Sequence, residues 1–255
     1  MCTLVILRRP GHGWPVVVAA NRDEMADRPW QPPGRHWPDR PGIVAGRDVL
    51  AGGSWLGLND DGVVCGVLNR RHSLGPAAGL RSRGDLVLDA LSHPDATTAA
   101  RALRALDPAL WRSFNLVVAD RQAAFWLYGH GPDGPGEVGV ATIPEGVHMV
   151  TAWDMDDPES ARIRTHLPRF VEAHPPEPDA WPEGDWAEWQ MLLASRAGGD
   201  GNMQREGAMN IATDTGFGTV SASLIALPAP DTAAAPVWRF CPAAPGAAPW
   251  TFVAV

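Results

Sequence analysis

Two apolar runs joined by a short turn constrain the fold of this chain more than any other feature. Thr3-Leu-Val-Ile-Leu-Arg-Arg9 is followed by Pro10-Gly-His-Gly13 and then by Pro15-Val-Val-Val-Ala-Ala20. Runs rich in β-branched residues, bounded by Gly and Pro, read as two strands of a hairpin. Cys2 stands directly ahead of the first strand, and the second ends on Asn21-Arg22-Asp23-Glu24. The hairpin therefore returns an amide, a guanidinium and two carboxylates to the level of residue 2.

That placement has a chemical meaning if Cys2 is the mature N-terminus, and methionine aminopeptidases accept small second residues. A terminal cysteine carries a nucleophile and a base on one residue. Its α-amine has an ordinary pKa of about 7.7–8.0 and its thiol about 8.5, so the amine can take the thiol proton at neutral pH. A guanidinium such as Arg22 favours the thiolate, and a carboxylate such as Asp23 orients the ammonium. The alternative for Arg22 and Asp23 is a solvated strand end holding one weak ion pair, or a cap for the turn that follows.

Downstream, residues 25–42 are rich in Pro, Arg and Trp and read as a long surface excursion. Strands are predicted at about 43–46, 54–59 and 63–69, with Asp60-Asp61-Gly62 as a hairpin turn. Asn69 falls where the last of these runs out, ahead of Arg70, Arg71 and His72. Helices follow at about 84–92 and 95–106, with Asp85 and Asp95 in first-turn positions. A hairpin at 113–120 and 123–129 contains Asn115, an amide that is costly inside a strand unless hydrogen-bonded. Strands at about 137–142 and 147–152, helices at about 157–172 and 186–196, and strands at about 219–227, 237–241 and 250–254 complete the chain. Residues 198–207 read as a flexible loop. Neither a repeat nor a linker is visible, so residues 1–255 read as one domain. Strand clusters separated by paired helices predict an α+β fold, two mostly antiparallel sheets packed face to face with helices outside.

Net charge is −8, with no long basic run, which argues against nucleic acid as a partner. All 21 cationic residues are arginine, pointing to a GC-rich bacterial genome and removing lysine as a base or Schiff-base former. Cys2, Cys65 and Cys241 are too few and too scattered for a disulfide framework or a zinc site. Cys65 lies in an apolar strand and reads as a small buried hydrophobe. The eight histidines show no ligand spacing, so no metal is expected and no cofactor is required. Twelve tryptophans, several of them in predicted loops (Trp30, Trp37, Trp181, Trp186 and Trp189), read as packing plugs for irregular segments or as a ligand-stacking surface. Absence of a signal-peptide pattern and of about 18 consecutive apolar residues predicts a soluble cytoplasmic protein with no membrane span.

Met1-Cys-Thr, Asn21-Arg-Asp-Glu24, Ala51-Gly-Gly-Ser-Trp-Leu-Gly-Leu-Asn59, Val67-Leu-Asn69, Arg81-Ser-Arg-Gly-Asp-Leu86 and Phe114-Asn-Leu-Val-Val118 occur in order along the chain. In these motifs the sequence resembles the NRDE family, the transport and Golgi organization protein 2 group, from residue 1 to about 227. That family in turn resembles cysteine N-terminal-nucleophile hydrolases such as choloylglycine hydrolases and penicillin V acylases. The resemblance implies a four-layer α-β-β-α sandwich. It implies Cys2 as nucleophile, Arg22 and Asp23 as its charged neighbours (spaced differently in the relatives), and Asn69 as oxyanion donor. Asn69 reads equally as a strand-end cap. Asn21, Glu24, Arg70, Arg71, His72 and Asn115 are the substrate-binding candidates, and Arg70, Arg71, Arg81 and Arg83 are candidate anchors for a phosphate-bearing ligand, or else a solvated basic loop. The resemblance also brings associations with haem trafficking and with acyl-CoA and lipid handling, so a small-molecule carrier with haem as a possible ligand stands beside the hydrolase. Two departures weaken the hydrolase pattern. Thr151 is followed by Ala152-Trp153-Asp154 where the relatives have an asparagine, and Val220 stands where they have an arginine.

Overall fold

The computed structural model describes residues 2–180, 183–198 and 207–255. In chain order the first strands are β1 (Thr3–Arg8), β2 (Val16–Met25), β3 (Trp30–Gly34), β4 (Ile43–Asp48), β5 (Leu56–Asn59) and β6 (Val64–Asn69). Helices α1 (Gly84–Ala90) and α2 (Ala96–Arg104) precede β7 (Phe114–Ala119), β8 (Ala124–Gly129), β9 (Gly139–Thr142) and β10 (Gly146–Val150). Helices α3 (Ala161–Glu172) and α4 (Ala187–Leu193) precede β11 (Phe217–Leu227), β12 (Val237–Cys241) and β13 (Thr251–Phe252). These elements form two compact units, one of Met1–Arg28 with Glu145–Val253, the other of Pro29–Pro144 with Ala254–Val255.

The first unit is built on an antiparallel sheet of order β10-β1-β2-β11-β12-β13. Side chains alternate across a strand with period two. Val5, Leu7, Val17, Ala19, Ala222, Leu224 and Ala226 accordingly share one core with Ile163, Phe170, Trp189 and Leu193 of α3 and α4. Leu4, Ile6, Val16 and Val18, on the intervening positions, are buried as well. Burial on both faces explains why the two runs are continuously apolar instead of alternating. Ser160 caps α3 by accepting the Ile163 N–H, and Trp189 meets Phe170 edge to face at 5.1 Å. Trp186 and Trp189 are therefore core residues, not loop plugs; Trp181 lies outside the described residues.

The predicted hairpin is present, with Thr3 opposite Asn21 and Arg8 opposite Val16. The second strand ends on the tetrapeptide as expected, closing one residue beyond it at Met25, and β11 pairs along it from Leu227↔Val16 to Phe217↔Met25. A partner distant in sequence supplies those hydrogen bonds, and no local signal announces it.

The second unit is a seven-stranded antiparallel meander, β3 through β9 in sequential order. One face carries Leu86, Val87, Ala99 and Leu103 of α1 and α2 against Leu116, Val118 and Leu127. Gly62 turns the β5–β6 hairpin at φ +85°, and the Asp95 side chain caps α2 through the Thr98 N–H. The predicted excursion at 25–42 is not wholly irregular, since it contains β3. Pro32 and Pro33 cannot donate to a ladder, so β3 is an edge strand whose register with β4 shifts between Gln31 and Gly34. A Cβ on Gly53 would stand 2.5 Å from the carbonyl carbon of Gly84. The motif around Gly52-Gly53 and the motif around Arg83-Gly84 are thus two sides of one close backbone contact. No helix among the described residues is long and apolar enough to cross a membrane. Most of the predicted 198–207 loop lies outside the described residues.

Candidate active site

Within the first unit the hairpin brings Cys2 to the backbone of Asp23. The Asp23 N–H donates to Cys2 Sγ at 3.4 Å, and the thiol faces the Asp23 carbonyl oxygen at 3.6 Å. The Asp23 carboxylate is turned toward α3. Its Oδ2 accepts from Arg162 Nη1 at 3.0 Å and its Oδ1 from the Thr219 hydroxyl at 2.7 Å. Asp23 and Arg162 have side chains 0 % and 3 % exposed, so this is a fully dehydrated ion pair. The same Arg162 nitrogen donates to the Thr3 hydroxyl, one residue from Cys2. Thr219 in turn accepts from the Ile211 N–H at 2.9 Å.

Thr219 reaches Asp23 because β11 bulges there. Thr219 lies opposite Asp23 and Ser221 opposite Arg22, so Val220 is the extra residue. The residue that departs from the hydrolase pattern is therefore the bulged one.

Burial above all pushes the Cys2 thiol up from its ordinary range, and the Asp23 charge adds to it; the chain's terminal amine, the Asp23 N–H and the Arg22 guanidinium oppose. Arg22 acts in the predicted direction, but removing the sulfur from water is the larger effect.

Two of the other candidates on β2 have structural contacts. Asn21 Nδ2 donates to the carbonyls of Leu193 (2.9 Å) and Met209 (3.0 Å), tying β2 to the end of α4. Glu24 pairs with Arg28 at 3.6 Å. Asn69, Arg70, Arg71, His72 and Asn115 belong to the second unit. Asn115, fully buried in β7, accepts from Arg70 Nη1 at 2.7 Å and from Trp126 Nε1 at 3.2 Å. Its cost inside a strand is thus offset as predicted. The Arg70 guanidinium also lies 5.6 Å from the Tyr128 ring centre. His72 adopts φ +58°, and its carbonyl accepts from Arg112. Asn69 closes β6 opposite Phe114, and Arg71 is exposed. Of the phosphate-anchor candidates, Arg83 is bonded to the carbonyls of Ser73 and Ser113, and Arg81 pairs with Asp85 over the Trp111 ring. Among the described residues no group of three His, Cys, Asp or Glu could hold a metal ion.

Arg162, Thr3 and Thr219 escaped sequence reasoning. Arg162 had a readable signal, since it falls on the same α3 stripe as His166 and Phe170, and all three are buried. The two threonines look like any β-branched strand residue.

This is the fold of the N-terminal-nucleophile hydrolases. Similar solved structures include the N-acylethanolamine-hydrolyzing acid amidase ortholog of Caenorhabditis elegans, at 13% identity over 91% of this chain and 95% of that one, with a TM-score of 0.56. Penicillin V acylase from Agrobacterium tumefaciens matches at 13% identity over 94% of this chain and 82% of that one, with a TM-score of 0.50. A single-residue variant of conjugated bile acid hydrolase from Clostridium perfringens matches at 10% identity over 94% of this chain and 88% of that one, with a TM-score of 0.50. No curated protein matches in sequence. By sequence the chain belongs to the Transport and Golgi organisation 2 family, whose model matches residues 1–179.

Proposed function

We propose that this protein is an N-terminal cysteine hydrolase cleaving an amide or thioester of a small acylated substrate, with Cys2 as nucleophile once residue 1 is removed. The observation that carries this reading is the contact between Cys2 Sγ and the Asp23 N–H at 3.4 Å, on a strand whose carboxylate is locked from behind by Arg162 and Thr219. A thiol pushed up by burial is protonated at neutral pH and needs a base. The freed α-amine of the same residue supplies one. Sγ attacks the acyl carbon as its proton passes to that amine. The tetrahedral intermediate collapses by breaking the C–N or C–S bond, and the proton leaves with the departing amine or thiol. Water then attacks the acyl-cysteine, returning the thiol and releasing the acid. The names of the three structural neighbours, an amidase, an acylase and a hydrolase, support the reaction class.

Two measurements test this. Intact mass spectrometry is expected to find the chain lighter by one methionine residue. A panel of acyl amides and thioesters is expected to give turnover that Cys2→Ala abolishes. Retained methionine on fully folded protein, or equal turnover by Cys2→Ala, overturns the reading.

Val220 favours a second reading, in which the site binds haem, an acyl-CoA or a lipid without turning it over. An apolar residue occupies the bulge where the resemblance implies a cation. Saturable haemin or acyl-CoA binding together with no turnover across the panel is the outcome that reading expects.

A further inference from the structure

Arg162 places a full positive charge in the interior of the first unit, and burying an ion pair is justified only by good geometry or by function. Its geometry is specific. One guanidinium nitrogen donates both to Thr3, the neighbour of Cys2, and to the carboxylate of Asp23, whose own N–H donates to the Cys2 sulfur. The thiol is thus hydrogen-bonded to one residue and adjacent in sequence to another, and a single cation ties those two together. The charged groups acting on that sulfur are Asp23 and Arg22 from β2 and the chain's terminal amine; Arg162 from α3 is the ion-pair partner of Asp23 and neutralises the carboxylate that works against the thiolate.

We propose that Arg162 is the positioning residue of this site, clamping Thr3 and Asp23 so that the Cys2 sulfur stays in place and the negative charge of Asp23 is masked. This rests on reading Cys2 as the reactive thiol, although it does not require that any particular substrate be hydrolysed. Helix α3 then reports directly on the sulfur, and the cation missing at Val220 is supplied from a different element.

The test is the pH profile of Cys2 alkylation by iodoacetamide, read by peptide mass spectrometry on folded protein. Arg162→Gln is expected to move the profile to higher pH and to slow alkylation at neutral pH about tenfold, the effect of one pKa unit. Arg162→Lys keeps the charge without the fork and is expected to restore part of the rate. Thr3→Val removes one leg of the clamp and is expected to shift the profile less than Arg162→Gln. A role in stability alone would lower the melting temperature and leave the profile unmoved. Should Arg162→Gln fail to fold, Arg162→Lys and Thr3→Val decide, and wild-type profiles in both overturn the proposal. A shifted profile in a protein that hydrolyses nothing sinks the hydrolase reading and leaves this one standing. Turnover by the wild type with unshifted variant profiles does the reverse.

Discussion

Thr219 faces Asp23 across the β2–β11 ladder and donates its hydroxyl to the carboxylate at 2.7 Å, with both residues buried. Hydrogen bonds to a buried charge are among the stronger ones, contributing about 1.5–3 kcal/mol. Thr219→Val keeps the β-branched shape and removes the donor. Urea unfolding is expected to show a loss of that size, with the m-value unchanged. A variant as stable as wild type would mean the carboxylate has no need of the hydroxyl.

His166 sits in α3 one turn after Arg162, with Nε2 bonded to the Ala197 carbonyl at 2.9 Å. Burial chiefly holds its pKa down to about 4, with Arg169 and Arg162 adding to the shift and the Ala197 carbonyl opposing it. The folded pKa lies below the ordinary 6.5, so between the two values the unfolded chain holds a proton that the folded one lacks. The stability this residue contributes is full above pH 6.5 and drains away as pH falls toward 4. Urea melts on either side of pH 6.5 are expected to show that loss in wild type and a smaller one in His166→Gln.

Gly53→Ala places a methyl group against the Gly84 backbone, and the backbone at the α1 start cannot yield cheaply. Overpacking of this kind typically costs about 1–3 kcal/mol. Gly13→Ala, where nothing lies within 4 Å of the added carbon, is expected to be close to neutral in the same thermal melts.

Asn115→Ala removes an acceptor shared by Arg70 and Trp126. The expected cost is about 1–3 kcal/mol, because two donors lose a partner in the interior. A double-mutant cycle with Trp126→Phe should return a coupling of about 0.5 kcal/mol or more. Strict additivity would mean the indole bond contributes nothing.

Local features carried most of the legible information. The first hairpin, the Asp60-Asp61-Gly62 turn and the α2 start at Asp95 are each built from neighbours in sequence, and each was readable there. What escaped depends on distant partners. The pairing of β2 with β11 joins residues about two hundred positions apart, the edge strand β3 requires β4, and the direction of the Cys2 pKa shift requires knowing how deeply the sulfur lies. Cys2 and Asp23 could be paired from the hairpin alone. The cation behind Asp23 could not, because Arg162 is 139 residues away and only the helix places it there.

The first unit is assembled from both ends of the chain, and β2 gains its second partner only when β11 exists. A ribosome-bound chain that has reached residue 179, where the family match stops, already contains Cys2, Asp23 and Arg162 but still lacks Thr219. Trimming of residue 1 at that stage would precede the pairing of β11 with β2. Residue 2 is thus open to the cell's processing enzymes before the strand that supplies Thr219 to the Asp23 carboxylate has been made.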